Sequence, residues 1–152
     1  MNNTAEAIRS LVIPVGGTQL VLPNAAVAEV IPYMPADDVD NAPAWLLGTI
    51  NWRDQTIPLL SFEVMAGFDR LVADTRSRIA VLNATSGHAK LRFFGIVTRD
   101  ITHLLRLDAS SIAPDADGSV HSGVVLSNVI VDGEAGVIPN LEALEAMVLK
   151  QV

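Results

Sequence analysis

The chain contains no cysteine, few aromatic residues and no long run of apolar residues. The absence of cysteine excludes disulfides and thiolate metal ligands and fits a reducing compartment, so we expect a cytoplasmic protein. Aromatic residues make up only 5% of the chain, so aliphatic side chains must supply most of the buried area. No segment approaches the roughly 18 apolar residues of a membrane-spanning helix, and the first residues lack the features of a secretion signal. We therefore expect no direct membrane insertion.

Basic residues are the minority among the charged residues, with 10 Lys and Arg against 17 Asp and Glu and a formal net charge of −7. A phosphate backbone would repel such a chain, so nucleic acid is not an expected partner. Half of the 152 residues are hydrophobic, which is enough for one compact core or for two small lobes that share one. We expect a polar N-terminal leader over residues 1–10 and a single domain over residues 11–152.

The residue types that usually carry catalysis or bind metals do not occur in recognised patterns. The histidines, which are His88, His103 and His121, are far apart in the chain, and none belongs to a metal-ligand pair. Ser122 follows His121, but the Gly-x-Ser-x-Gly elbow of a serine hydrolase is absent. Asp117 lies in a segment that resembles the start of a calcium loop, yet the glycine spacing differs and no glutamate closes the loop. The sequence therefore predicts no enzyme activity, no metal and no cofactor.

The most informative stretch is residues 43–63, PAWLLGTINWRDQTIPLLSFE. Residues 49–52 and 56–60 are β-rich runs on either side of a polar reversal, which predicts a hairpin with its tip at Arg53. Pro58 lies inside the second run and has no N–H for a strand ladder. We therefore expect that strand to be an edge strand or to carry a bulge.

Two more hairpins and one helix are predicted outside this stretch. The first hairpin turns at Gly16 and Gly17, and the second spans residues 78–97. The helix is expected from Leu141 to about Lys150, because Asn140 is a good N-cap and acidic residues occupy its first turns.

The two halves of the chain share a weak internal similarity. The segments 25–31 and 98–107 fit either a helix or a strand, and they carry the related patterns Val27-x-x-Val30-Ile31 and Ile101-x-x-Leu104-Leu105. Asn51 through Leu59 likewise resembles Asn128 through Asn140. Because the two correspondences occur in the same order, we expect two similar β lobes packed together, each a small barrel or a strongly bent sheet.

Glu29 and Arg53 are oppositely charged residues within apolar segments. In one interpretation they are separate surface charges that contribute about 0–1 kcal/mol to stability. In the other they meet at a surface where the planar guanidinium of Arg53 contacts both Glu29 and a partner. The residue pattern alone leaves both interpretations open.

The sequence resembles the CheW-like adaptor domain of bacterial chemotaxis. That family carries an Asn-x-Arg-Gly turn followed by a hydrophobic-Pro-hydrophobic strand, which correspond here to Asn51–Asp54 and Ile57–Leu59. Its Val-x-Glu-Ile strand is similar to Val27–Val30, and its Gly-hydrophobic-Val run to Gly95–Val97. The resemblance extends from about residue 11 to residue 147.

The resemblance implies a mainly β fold of two small five-stranded SH3-like β-barrel lobes on a shared core, here followed by the C-terminal helix. It also implies a non-enzymatic adaptor that couples the cytoplasmic tip of a methyl-accepting chemotaxis receptor to the regulatory domain of a CheA-like histidine kinase. The positions that match the family's partner-binding motifs are Val27, Glu29, Asn51, Trp52, Arg53 and Asp54.

The turn departs from the family pattern at two positions, with Asp54 in place of the glycine and Trp52 in place of the usual leucine. Together with Ser61–Glu63, this turn is similar to the adaptors of pilus-associated systems that govern twitching motility. The alternative hypothesis is a small-ligand-binding β-barrel module, with its ligand in a groove between the lobes.

Overall fold

The computed structural model describes residues 8–70, 72–100, 103–107, 110–118 and 120–151. Most of the expected leader, as well as Ile101, lies outside these ranges. The described chain is mainly β, as predicted, with one longer helix near its C-terminus. The elements are β1 (Ile8–Val15), β2 (Thr18–Pro23), β3 (Val27–Pro32), β4 (Leu46–Trp52), β5 (Gln55–Leu60), α1 (Phe62–Met65), β6 (Arg78–Asn83), β7 (Phe93–Thr98), β8 (His103–Leu107), β9 (Ile112–Pro114), β10 (Val125–Val131), β11 (Glu134–Pro139) and α2 (Leu141–Leu149).

The strands form two sheets of closely similar order. Sheet 1 has the order β8-β1-β2-β11-β10-β9, and sheet 2 has the order β3-β6-β7-β5-β4. In sheet 1 the β1–β2 hairpin has the edge strand β8 on one side and pairs in parallel with β11 on the other. In sheet 2 the β6–β7 hairpin has the edge strand β3 on one side and pairs in parallel with β5 on the other. Sheet 1 adds the short edge strand β9 to this five-stranded plan. The arrangement confirms the predicted pair of similar β lobes.

The lobes do not coincide with the two halves of the sequence. The β1–β2 hairpin pairs with β8 and β11 from the second half, and β3, β4 and β5 join the β6–β7 hairpin. The first hairpin of the first half, β1–β2, therefore lies in the sheet that contains β8 to β11. The first hairpin of the second half, β6–β7, lies in the sheet that contains β3 to β5. The internal similarity of the sequence indicated two units but not this exchange of hairpins between the sheets. Similar local patterns do not show which strands pair with each other.

Both segments that fitted either a helix or a strand contain strands. A 3-10 turn at Asn24–Ala26 leads into β3, which pairs with β6. The later segment contains β8, which pairs with β1. The spacing of apolar residues does not decide between a helix and a strand in these segments. They form strands because they pair with the edge of a sheet.

The expectation for Pro58 is wrong on both counts. Strand β5 lies inside sheet 2 between β7 and β4, and the bulge in the β4–β5 pair has its extra residue, Leu47, on β4. Thr49, opposite Pro58, exchanges both of its backbone hydrogen bonds with Asp37, at 2.8 and 2.9 Å. Strand β4 therefore requires no N–H from Pro58. On the other side of β5, the parallel ladder with β7 includes only Leu59 and Leu60. The proline is tolerated in an internal strand because neither neighbour pairs with its nitrogen.

Apolar side chains form three clusters. The largest, the shared core, lies between the sheets and also receives Leu144 and Val148 of α2. A second cluster on the opposite face of sheet 2 includes Ile50, Trp52 and Ile79, and a third belongs to sheet 1. The space between the sheets is thus occupied by packed side chains.

Helix α2 begins where the sequence predicts. The Asn140 side chain accepts a hydrogen bond from the Ala143 N–H at 3.1 Å, as an N-cap residue does. Glu145 on the same helix is 1% exposed. Its carboxylate accepts hydrogen bonds of 2.8–3.0 Å from Thr85 N, Thr85 Oγ1 and Ser86 N. The helix thereby fixes the start of the loop between β6 and β7.

Candidate functional site

The β4–β5 hairpin turns through two residues in the left-handed backbone region. Arg53 has φ 47° and Asp54 has φ 61°, as in the type I′ turns that suit the right-handed twist of paired strands. Aspartate adopts this region more readily than most residues. Asp54 can therefore replace the glycine of the family motif without opening the turn, and both side chains are exposed at the tip.

A bulge in β3 sets the direction of Glu29. Val27 pairs with Leu82 and Glu29 pairs with Val81, so Ala28 is the extra residue. Residues two apart in a regular strand share a face, but here Val27 packs against the shared core and Glu29 lies on the opposite face. The bulge thus brings the carboxylate to the side of sheet 2 that holds Trp52.

Glu29 and Trp52 join the two edge strands of sheet 2. The Trp52 Nε1–H donates to Glu29 Oε1 at 2.8 Å, and these residues belong to β3 and β4, the first and last strands of the sheet. Sheet 2 must therefore bend until its edges approach each other. Trp52 is 6% exposed, and a buried indole N–H requires an acceptor, which this carboxylate supplies.

Arg53 completes the cluster. Its Nη2 lies 3.3 Å from the same Oε1 of Glu29, and its Cζ lies 4.8 Å from the centroid of the Trp52 ring. The side chains of Arg53 and Glu29 are 65% and 40% exposed. Such an ion pair contributes about 0–1 kcal/mol, and an exposed cation–π contact about 0.5–1 kcal/mol. The contacts orient the guanidinium and leave it accessible.

The other matching positions have different surroundings. Asn51 is exposed, and its Oδ1 accepts a hydrogen bond from Thr56 Oγ1 at 3.2 Å. Asp54 is exposed beside Arg53. Val27 is half-buried on the opposite face of sheet 2, against the shared core. The structure therefore brings Glu29, Trp52 and Arg53 together, places Asn51 and Asp54 beside them, and places Val27 on the other face.

Phe93 belongs to this cluster, although it lies outside the motifs that indicated the site. Its ring centroid lies 4.9 Å from that of Trp52, at an interplanar angle of 59°. Phe94, the next residue, lies in the shared core. Because successive strand residues face opposite sides, the Phe-Phe pair at the start of β7 could have indicated one ring on each face.

Two of the residues considered for catalysis, Ser122 and His88, take part in local hydrogen bonds. The Ser122 hydroxyl donates to the Met65 carbonyl at 3.2 Å and accepts from the Val124 N–H at 3.3 Å. His88 Nδ1 accepts from the Lys90 N–H at 3.1 Å within a turn. Among the residues that the structure describes, no group of His, Asp and Glu could hold a metal ion, and no helix is long and apolar enough to cross a membrane.

Comparison with known proteins identifies the family. The model of the CheW-like domain matches residues 9–147. The chain is 27% identical over 103 residues to the chemotaxis protein CheW of Rhizobium meliloti (strain 1021), and this match covers 68% of the chain and 63% of that protein, less than two thirds of its length. The fold is similar to the crystal structure of the scaffolding protein TtCheW from Thermoanaerobacter tengcongensis, with a TM-score of 0.72 and 19% identity over 89% of this chain and 90% of that one. Because the family model covers most of its residues, the chain belongs to the CheW-like domain family, as its motifs predicted.

Proposed function

We propose that this protein is a non-enzymatic cytoplasmic adaptor. It couples the cytoplasmic tip of a methyl-accepting chemotaxis receptor to the regulatory domain of a CheA-like histidine kinase. Its partner-binding residues are Val27, Glu29, Asn51, Trp52, Arg53 and Asp54. The observation that carries the proposal is the exposed Arg53 turn, held by Glu29 and Trp52 in a chain whose family includes a scaffolding protein.

The geometry of Arg53 supports a docking role more than a role in stability. A guanidinium offers five N–H donors in a planar fork and can bind a partner carboxylate through two of them. The contacts to Glu29 and to the Trp52 ring hold the side chain before binding. Less conformational entropy is then lost when a partner binds.

The bulge at Ala28 gives β3 contacts on both faces of sheet 2. In this proposal Val27 belongs to the receptor-binding surface, and Glu29 orients Arg53 on the other face. An adaptor has to bind two partners at once, and the half-buried Val27 lies apart from the exposed Arg53 turn, on the other side of the bulge. We assign the system to the pilus-associated branch that controls twitching motility, from the character of Trp52, Asp54 and Ser61–Glu63.

A pull-down tests the adaptor function. The purified protein is incubated with an immobilised kinase regulatory domain and, separately, with an immobilised receptor cytoplasmic fragment. Both partners are immobilised because single contacts below about 1,200 Å² are weak without the avidity of an array. We expect capture by both partners and weaker capture of Arg53→Glu. Arg70→Glu, which makes the same charge change at another exposed arginine, should bind like the wild type. Capture by neither partner would refute the proposal.

A further inference from the structure

The short parallel ladder between β5 and β7 leaves a groove at one end of sheet 2. The ladder includes only Leu59 and Leu60 of β5, so the strands separate towards Phe93. A cleft of about 110 Å³ opens there, lined in part by Thr56 and Lys90. A second cleft of about 540 Å³ lies beside it, lined in part by Asn83 and His88. Both clefts are lined by Ala89, Arg92 and Phe93, so they adjoin, and together they are called the groove.

The rim of this groove is basic in an otherwise acidic protein. Lys90, Arg92 and His88 occur within five consecutive positions, whereas the chain carries a net charge of −7. All three side chains are exposed. Neither Lys90 nor Arg92 forms an ion pair with any other residue that the structure describes. Their positive charges are therefore not neutralised within the described part of the chain.

The loop that carries these residues is held at both ends. Thr85 and Ser86 donate to the buried Glu145 carboxylate at the start of the loop. At its end Leu91 is buried, and the Arg92 carbonyl accepts a hydrogen bond from the Ala84 N–H at 2.9 Å. An ordered loop presents its charges without a large entropic cost on binding.

We infer that this groove binds an extended acidic segment of a partner protein, with carboxylates at Lys90 and Arg92 and an apolar side chain against Phe93. The two adjoining clefts suit successive side chains of an extended peptide, and charge-assisted hydrogen bonds to carboxylates are the strong interactions that lysine and arginine offer. The net charge of −7 opposes a nucleic acid, which carries a phosphate at every nucleotide, more strongly than a short segment with a few carboxylates. The inference goes beyond the adaptor function, because it concerns the groove beside the Arg53 turn, with Phe93 between the two, and does not depend on which partner supplies the segment.

The test uses a short fluorescein-labelled peptide of alternating glutamate and leucine, titrated with the whole protein and followed by fluorescence anisotropy. We expect saturable binding that weakens as salt is added. The Lys90→Glu/Arg92→Glu variant should bind at least about tenfold more weakly, which corresponds to about 1.4 kcal/mol. Amide chemical-shift changes on peptide addition should be concentrated in residues 84–93 and 55–57.

The matched control is Arg70→Glu/Lys150→Glu, which makes the same charge change at two exposed positions elsewhere and should bind like the wild type. Thermal unfolding of both double variants checks that they remain folded. Equal weakening by the two double variants would overturn the inference, as would an absence of peptide binding. Displacement of the peptide by a single-stranded oligonucleotide more readily than by unlabelled peptide would also overturn it. Because Lys90→Glu/Arg92→Glu leaves Glu29, Trp52 and Arg53 unchanged, the results can be separated from binding to a receptor or kinase at the Arg53 turn.

Discussion

At the scale of single residues, one oxygen of Glu29 serves two donors with different roles. The Trp52 indole is buried and depends on the carboxylate for its hydrogen bond. The Arg53 guanidinium is exposed and gains mainly an orientation. The same carboxylate therefore contributes to stability through the tryptophan and orients the exposed arginine, and substitutions can separate the two contributions.

The Trp52–Glu29 bond should be detectable in the free energy of unfolding. Trp52→Phe keeps an aromatic ring beside Phe93 but removes the donor and some volume, so we expect a loss of about 1–3 kcal/mol. Glu29→Gln keeps an acceptor oxygen for the indole and should cost less. Urea unfolding measures both values, and a larger loss for Glu29→Gln than for Trp52→Phe would contradict this account.

Gly48 illustrates a second requirement at a single position. It has φ 141°, and a Cβ added there would lie 2.1 Å from the Asp37 carbonyl oxygen. Gly48→Ala must therefore displace the Asp37–Thr49 bridge, and we expect it to cost more than about 2 kcal/mol. Gly67, at φ 94°, has open space where the Cβ would be, so Gly67→Ala should cost only about 1 kcal/mol for its backbone conformation. Equal costs in urea unfolding would show that the close approach to Asp37 is unimportant.

At the scale of elements, the sequence predicts what is local. The β4–β5 hairpin could be predicted because its tip and its flanking β-rich runs are contiguous, and the cap of α2 because Asn140 precedes it directly. The position of β5 inside the sheet could not be predicted from Pro58. It depends on Asp37, which takes the backbone bonds of Thr49 from outside the hairpin.

The candidate site shows the same limit. The family motif indicated Glu29 and Arg53, but their approach depends on the bulge at Ala28 and on the bending of sheet 2. Neither feature has a pattern in the sequence. The hydrogen bond from Trp52 and the ring contact with Phe93 arise only when the edge strands and β7 are brought together.

The hydrogen bonds of Glu145 connect helix α2 to the β6–β7 loop, and their contribution to stability can be tested. Glu145→Ala leaves the donors of Thr85 and Ser86 without their acceptor, so we expect a loss of about 3 kcal/mol. It should also speed amide hydrogen exchange at residues 85 and 86. Glu142→Ala changes an exposed carboxylate on the same helix and should alter stability by no more than about 0.5 kcal/mol. Similar stabilities for the two variants would contradict the role given to Glu145.

At the scale of the whole molecule, the exchange of hairpins makes each half depend on the other. Residues 1–70 include β1 and β2, whose partners β8 and β11 lie in the second half, and also β3 and β5, whose partners are β6 and β7. The shared core likewise takes side chains from both sheets. The two lobes should therefore fold as one cooperative unit, in contrast to independent repeats.

Fragment complementation tests this dependence. We expect fragments 1–70 and 71–152 to give poorly dispersed amide spectra when separate and a native-like spectrum when mixed, because each sheet draws strands from both. A folded isolated fragment would mean that the lobes correspond to the halves of the sequence.

The central claim is that the Arg53 turn is a docking surface, and the dissociation constant for a purified kinase regulatory domain tests it most directly. Titration calorimetry on the wild type, Arg53→Glu and Arg70→Glu, each with its urea unfolding curve, provides the comparison. The account predicts that Arg53→Glu weakens binding at least about tenfold, or about 1.4 kcal/mol, while its stability changes by less than about 1 kcal/mol and Arg70→Glu binds like the wild type. Wild-type affinity in a fully folded Arg53→Glu variant would contradict it.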